Sequence, residues 1–192
     1  MTGTARVTIM FTDIVGSTAL LERLGDQAGT ELIRRHFGIL RRSIAAHGGR
    51  EIKALGDGLM VVFPDPASAT ACAAAMQRSI MSNNISGGGA PLGLRIGLHS
   101  GEALHDAGDY FGIPVVIARR LCDLCAAGQV MVSAAVREMA DNERTRFEDL
   151  GPLPLKGLSA PVAASSMHWT ESPLRIVPDP RDLARRVGAL AG

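Results

Sequence analysis

The stretch RVTIMFTDIVGST constrains the fold more than any other part of this chain. Residues 5–12 are rich in β-branched and apolar side chains, the composition of a buried strand. Asp13 stands where that strand is expected to end and its turn to begin, and a helix is expected to open near Ser17. A strand that closes on a carboxylate and feeds a helix calls for a sheet with helices packed on it.

The same arrangement recurs downstream. REIKALGDGLMVVF reads as two short strands joined by a turn at Gly56, Asp57 and Gly58, because Gly tolerates positive φ and Asp is a good turn former. If the strands carrying Asp13 and Asp57 lie side by side, the two carboxylates converge at one edge. Hard oxygen ligands there suit one or two divalent cations. The free backbone N–H groups of Gly16, Ser17 and Thr18 at the opening of the helix suit a polyphosphate on the same metals. On spacing alone the plainer alternative stays open, in which Asp13 caps the helix and Asp57 serves only its turn.

The other segments alternate between helix and strand. Ile33, Phe37, Leu40 and Ile44 recur at spacings of four, three and four, the stripe of an amphipathic helix from Thr30 to His47 stopped by Gly48 and Gly49. Asp65 is placed to cap a further helix with Pro66 at its first position. SNNISGGGAP reads as a loop. LGLRIGLHSGEAL reads as a strand, the region after Tyr110 as a helix begun by Pro114, and QVMVS, RFEDLG and VAASSMHW as strands, with PLPLKGLSAP turn-like between the last two. The expected division is one domain over residues 1–168 and a tail over 169–192 holding a short helix from Arg181.

With 192 residues, 46% of them hydrophobic, the chain suffices for one good core and not two. Lys and Arg number 20 against 19 Asp and Glu, so bulk charge gives no reason to expect nucleic-acid or anionic-membrane binding. The absence of a span-length apolar run and of a signal peptide points to a cytoplasmic protein. Cys72, Cys122 and Cys125 read as reduced thiols; the C-x-x-C of CDLC falls within a helical pattern and has no partner pair. His99, inside an apolar strand, reads as a packed residue rather than a general base.

FTDIVGST, IKALGDGLMVVF, RIGLHSG and DYFGIPVVIARRL occur in the order of a class III nucleotidyl cyclase catalytic domain, and the chain resembles that family over residues 5–168. The short interval between HSGEAL and DYFG resembles the abbreviated arm of the class IIIc subgroup. The resemblance implies a ferredoxin-like, palm-type α/β (α+β) domain, a central and mostly antiparallel sheet flanked by helices, that works as a head-to-tail homodimer with active sites at the interface. It implies that Asp13, Asp57 and the Ile14 carbonyl bind two Mg²⁺ or Mn²⁺ ions. Lys53 and Asp109 match the residues that read the base from the partner subunit, a pairing that favours adenine and hence ATP. Arg120 matches the arginine that neutralises charge growing on the phosphate, and Lys156 matches a lysine gripping the terminal phosphates. Arg119 is expected to point elsewhere.

The implied activity is conversion of ATP to 3′,5′-cyclic AMP and pyrophosphate. A guanylyl or relaxed-specificity cyclase, and a catalytically weak nucleotide-binding regulatory module, remain as alternatives. The chain departs from the family in one respect: where the family places an Asn four residues before the arginine, this sequence has Val116.

Overall fold

The computed structural model describes residues 2–86, 91–140, 145–170 and 185–189. Strand β1 (Gly3–Val15) lies in an eight-stranded sheet and leads into helices α1 (Ser17–Leu24) and α2 (Asp26–Ala46). The chain then forms the hairpin β2 (Arg50–Leu55) and β3 (Gly58–Phe63), helix α3 (Pro66–Ser86), the long strand β4 (Gly93–Asp106) and the short β5 (Asp109–Phe111). Helix α4 (Ile113–Leu124), β6 (Val130–Ser133), α5 (Ala134–Ala140), β7 (Arg146–Leu153) and β8 (Val162–His168) follow. The strand order is β2-β3-β1-β4-β6-β8-β7, with β5 folded back on β4. Among the described pairs only β4–β6 is parallel, so the mostly antiparallel sheet that the resemblance implied is what forms.

Alternation along β1 sorts the two faces. Met10 and Ile14 enter the main core with Ile39, Leu40, Met76 and Val136 from α2, α3 and α5. Ile9 and Phe11 face the other way, into a cluster with Ala118 and Cys122 of α4. Asp13, two residues beyond Phe11, therefore shares the α4 face. Gly97 of β4 lies opposite Phe11 and allows α4 to approach, since a Cβ there would stand 2.2 Å from the Cys122 nitrogen and 2.5 Å from the Ala118 carbonyl oxygen.

The structure corrects several expected boundaries. β1 does not end at residue 12 but continues through Asp13 to Val15, because β4 pairs with it throughout and sets Arg95 opposite Asp13. Residues 82–86 of the expected loop are helical and complete α3; its glycine run, residues 87–89, falls outside the described residues. Pro152 and Leu153, expected in a turn, belong to β7. The α3 start matches expectation, with Asp65 accepting hydrogen bonds from the Ser68 N–H and hydroxyl at 2.8 Å.

Trp169 packs on the main core and donates to the Gly128 carbonyl at 2.7 Å. Residues 185–189 are helical, and Val187 packs beside Leu121 and Leu124 of α4. Most of the rest of the expected tail, residues 181–184 of its helix included, lies outside the described residues. Cys122 and Cys125 are buried, with thiols directed at the Arg95 and Ile96 carbonyls; burial pushes the Cys125 thiol up to about 12, so it stays protonated. No helix of the described residues is long and apolar enough to cross a membrane.

Because the atoms below Gly97 are backbone and cannot turn aside, Gly97→Ala is expected to destabilise the fold by about 1–3 kcal/mol, seen as a lower Tm in thermal denaturation with α4 displaced from β4.

Candidate active site

Three features of the β1–β3 seam bring Asp13 and Asp57 together. The strands pair antiparallel, with Phe11 opposite Met60. The buried Thr12 hydroxyl accepts the Leu59 N–H at 3.0 Å. The Gly58 backbone lies flush on β1, where a Cβ would meet the Thr12 carbonyl oxygen at 2.1 Å. Asp57, one residue earlier in the turn, is thus held beside the end of β1.

Asp13 is only 6% exposed. Burial pushes its carboxyl above the usual range, the hydrogen bond and charge of Arg95 pull it down, and the charge of Asp57 pushes it up again; the net direction is upward. Arg95 donates through Nε to Asp13 Oδ2 at 2.7 Å and through Nη1 to the Asp123 carbonyl at 3.2 Å. Arg119 Nη2 lies 3.8 Å from Asp13 Oδ1. Two carboxylates that raise each other's energy, one of them buried, fit a divalent cation. Among the described residues no cluster of three or more His, Cys, Asp or Glu forms. Two carboxylates suffice for Mg²⁺, which keeps waters and takes further oxygens from substrate phosphates. Ile14 buries its side chain in the main core, so only its backbone carbonyl is available to a metal.

Gly16 adopts φ 72° as it starts α1, a left-handed conformation that favours glycine. Its carbonyl accepts the Leu20 N–H at 3.0 Å, while Ser17 and Thr18 form the first turn, where N–H groups lack intrahelical partners.

On the same face, Lys53 of β2 and Asp109 of β5 meet at 2.5 Å, and the hydrogen bond from Lys53 lowers the Asp109 carboxyl below its usual range. Lys53 also lines a cavity of about 460 Å³ with Phe11, Leu55, Met60, Val115, Val116, Arg119 and Arg120. Arg120 pairs with Asp123 at 3.1 Å and donates through Nε to the Lys156 carbonyl at 3.3 Å. Lys156 itself is exposed in the loop after β7 and shares with Arg120 a second cavity of about 300 Å³ that Val187 and Gly188 also line.

Arg119 and Arg120 line one cavity and both pair with Asp123, Arg119 Nε at 2.9 Å and Arg120 Nη1 at 3.1 Å, but Arg119 turns toward Asp13 and Arg120 toward the Lys156 carbonyl, so the two point apart. Arg95 was missed by sequence reasoning, although a cation inside an apolar strand needs a buried partner, and that was its signal. His36 was missed as well. It is 1% exposed, and neither ring nitrogen has a hydrogen-bond partner. His99 is satisfied by Ser133 Oγ at 2.8 Å.

The sequence and the fold have counterparts among known proteins. The model of the adenylate and guanylate cyclase catalytic domain matches residues 1–171, and the chain belongs to that family. A pH-sensitive adenylate cyclase of Mycobacterium tuberculosis is 34% identical over 166 residues, 83% of this chain and 40% of that relative. The adenylyl cyclase CyaB of P. aeruginosa superposes with a TM-score of 0.79 at 26% identity, covering 88% of this chain and 96% of that one. The guanylyl cyclase Cya2 shares the fold with a TM-score of 0.76 at 24% identity, covering 90% and 96%. This chain spans 40% of the length of the first mycobacterial relatives it matches.

Burial holds both His36 and His99 down at about 4. The unfolded chain takes up these protons near pH 6.5 and the folded chain not until about pH 4. The stability the neutral rings contribute is therefore complete above pH 6.5 and is lost as pH falls toward 4, by up to about 1.4 kcal/mol per pH unit for each ring. Thermal melts from pH 7.5 to 4.5 should show a falling Tm, and His36→Leu should flatten the slope.

Proposed function

We propose that this domain is an adenylyl cyclase that converts ATP to 3′,5′-cyclic AMP and pyrophosphate at sites shared between two copies of the chain. The observation that carries the reading is the Lys53–Asp109 pair at 2.5 Å beside a cavity whose walls supply Lys53, Arg119 and Arg120. A lysine can only donate and an ionised aspartate can only accept, which matches N1 and the exocyclic amine of adenine; guanine presents the reverse pattern.

In this reading Asp13, Asp57 and the Ile14 carbonyl of one subunit hold two divalent ions, Mg²⁺ or Mn²⁺. When bound, such ions lower the pKa of the attacking ribose hydroxyl and neutralise charge on the phosphates. The backbone N–H groups of Gly16, Ser17 and Thr18 receive phosphate oxygens. The 3′-hydroxyl gives up its proton to water as its oxygen bonds to the α-phosphorus and the bond to pyrophosphate breaks, and Arg120 of the partner subunit stabilises the charge that grows on the α-phosphate. Lys156 holds the terminal phosphates. Shared sites are supported by apolar surface around the base-reading residues, with Leu55 41%, Leu104 42%, Phe111 46% and Ile113 58% exposed, a patch suited to a second copy of the chain.

Val116 favours one other reading. It gives the cavity an apolar wall where the family has a ribose-orienting Asn, and losing one preorganised contact can cost on the order of a hundredfold in turnover. A weak cyclase or a nucleotide-binding regulatory domain would follow from that loss.

Purified protein supplied with ATP or GTP and with Mg²⁺ or Mn²⁺ is expected to release cyclic AMP from ATP, and Asp57→Ala to abolish it. Cyclic GMP as the main product would overturn the adenine assignment. Nucleotide-dependent stabilisation without product would favour the binding-domain reading.

Mixing Asp13→Ala chains with Arg120→Ala chains is expected to recover activity lost in each alone, through one intact site per heterodimer. No recovery in confirmed heterodimers would exclude shared sites.

A further inference from the structure

Asp123 sits on α4 between two arginines and sends them in different directions. Arg120 reaches the Lys156 loop. Arg119 turns toward β1: its guanidinium carbon lies 5.8 Å above the Phe11 ring, and Nη2 lies 3.8 Å from Asp13 Oδ1. The Arg119 side chain is 34% exposed, open to the cavity it shares with Lys53 and Val116. That cavity has an apolar floor of Phe11, Met60, Val115 and Val116 and three cationic side chains in its wall.

A guanidinium beside a carboxylate that receives a divalent cation is an arrangement of like charges once that cation binds. It is favourable only if a polyanion enters with the metal and lies between them. Arg119 is the polar side chain that α4 directs at Asp13.

We infer that Arg119 is a second arginine contact to the polyphosphate of the bound nucleotide, released from Asp13 when metal and phosphate arrive and kept in aim by Asp123. This rests on the cyclase reading for the identity of the nucleotide but not for the binding of a metal–polyphosphate complex. In the shared-site arrangement Arg119 then serves the site built on its own chain's Asp13 and Arg120 serves the site of the partner, from adjacent positions of one helix, and Asp123 is a positioning residue for both.

The test uses the full chain, inorganic tripolyphosphate with Mn²⁺ as the probe, and calorimetry, with Mn²⁺ alone followed by electron paramagnetic resonance. Arg119→Ala is expected to weaken tripolyphosphate at least tenfold while Mn²⁺ alone binds as tightly as in the wild type or more tightly, because a competing cation has gone. Arg119→Lys should restore part of the tripolyphosphate affinity, since it keeps the charge and loses the planar fork. In turnover the KM for nucleotide should rise more than kcat falls. Unchanged tripolyphosphate affinity in Arg119→Ala overturns the inference, as does a joint loss of Mn²⁺ binding, tripolyphosphate binding and Tm, which would make Arg119 a structural clamp between α4 and β1. If Arg119→Ala does not fold, Arg119→Gln carries the same expectations and is judged by the same outcomes. Absence of cyclic product from the wild type would remove the cyclase reading and leave the tripolyphosphate result to stand by itself.

Discussion

The structure depends on holding two carboxylates of like charge at one edge of a sheet, one of them nearly buried. Asp13 and Asp57 repel each other, and burial of Asp13 adds a desolvation cost that would favour its neutral form. The β1–β3 seam keeps them together: the Thr12 hydroxyl ties to the Leu59 N–H, and Gly58 leaves no side chain to keep its strand from the Thr12 carbonyl. Arg95, opposite Asp13 in the ladder, and Arg119 from the helix above supply the positive charge that makes the arrangement tolerable. A site kept under this electrostatic load is prepared for a cation.

Helix α4 connects that edge to Lys53 and Asp109, the pair proposed to read the base. It reaches the sheet because Gly97 has no side chain, which sets Ala118 and Cys122 against Phe11 and Met60. On this close approach Arg119 and Arg120 enter the cavity that Lys53 also lines. The exposed apolar side chains Leu104, Phe111 and Ile113 lie around the β4–β5 arm and the start of α4, so the face proposed to be catalytic and the face proposed to meet a second chain are continuous.

Much of this was legible in the residues. Gly56-Asp57-Gly58 marks a turn that few other sequences favour, and the β-branched run before Asp13 marks a strand. Where β1 ends was not legible, because local reading stops a strand at a charge; the strand continues because β4 provides Arg95 at the matching register. The direction of Arg119 was also beyond local reading. Helical spacing places it near Asp123, but only the distance between α4 and β1 brings it to Asp13. The burial of His36 with both ring nitrogens unpartnered likewise depends on which face of α2 meets the sheet.

By itself the sequence determined the types and order of the elements other than β5 and α5, because hydrophobic period and turn chemistry are properties of residues and their near neighbours, and its ordered motifs, through their resemblance to a family, singled out Asp13, Asp57, Lys53 and Asp109 and the departure at Val116. Only the tertiary structure decided which charges neutralise Asp13, which arginine faces it and which cavity they share. Those outcomes turn on strand register and on a helix-to-sheet distance set by a glycine, and both are fixed by contacts between segments far apart in the chain.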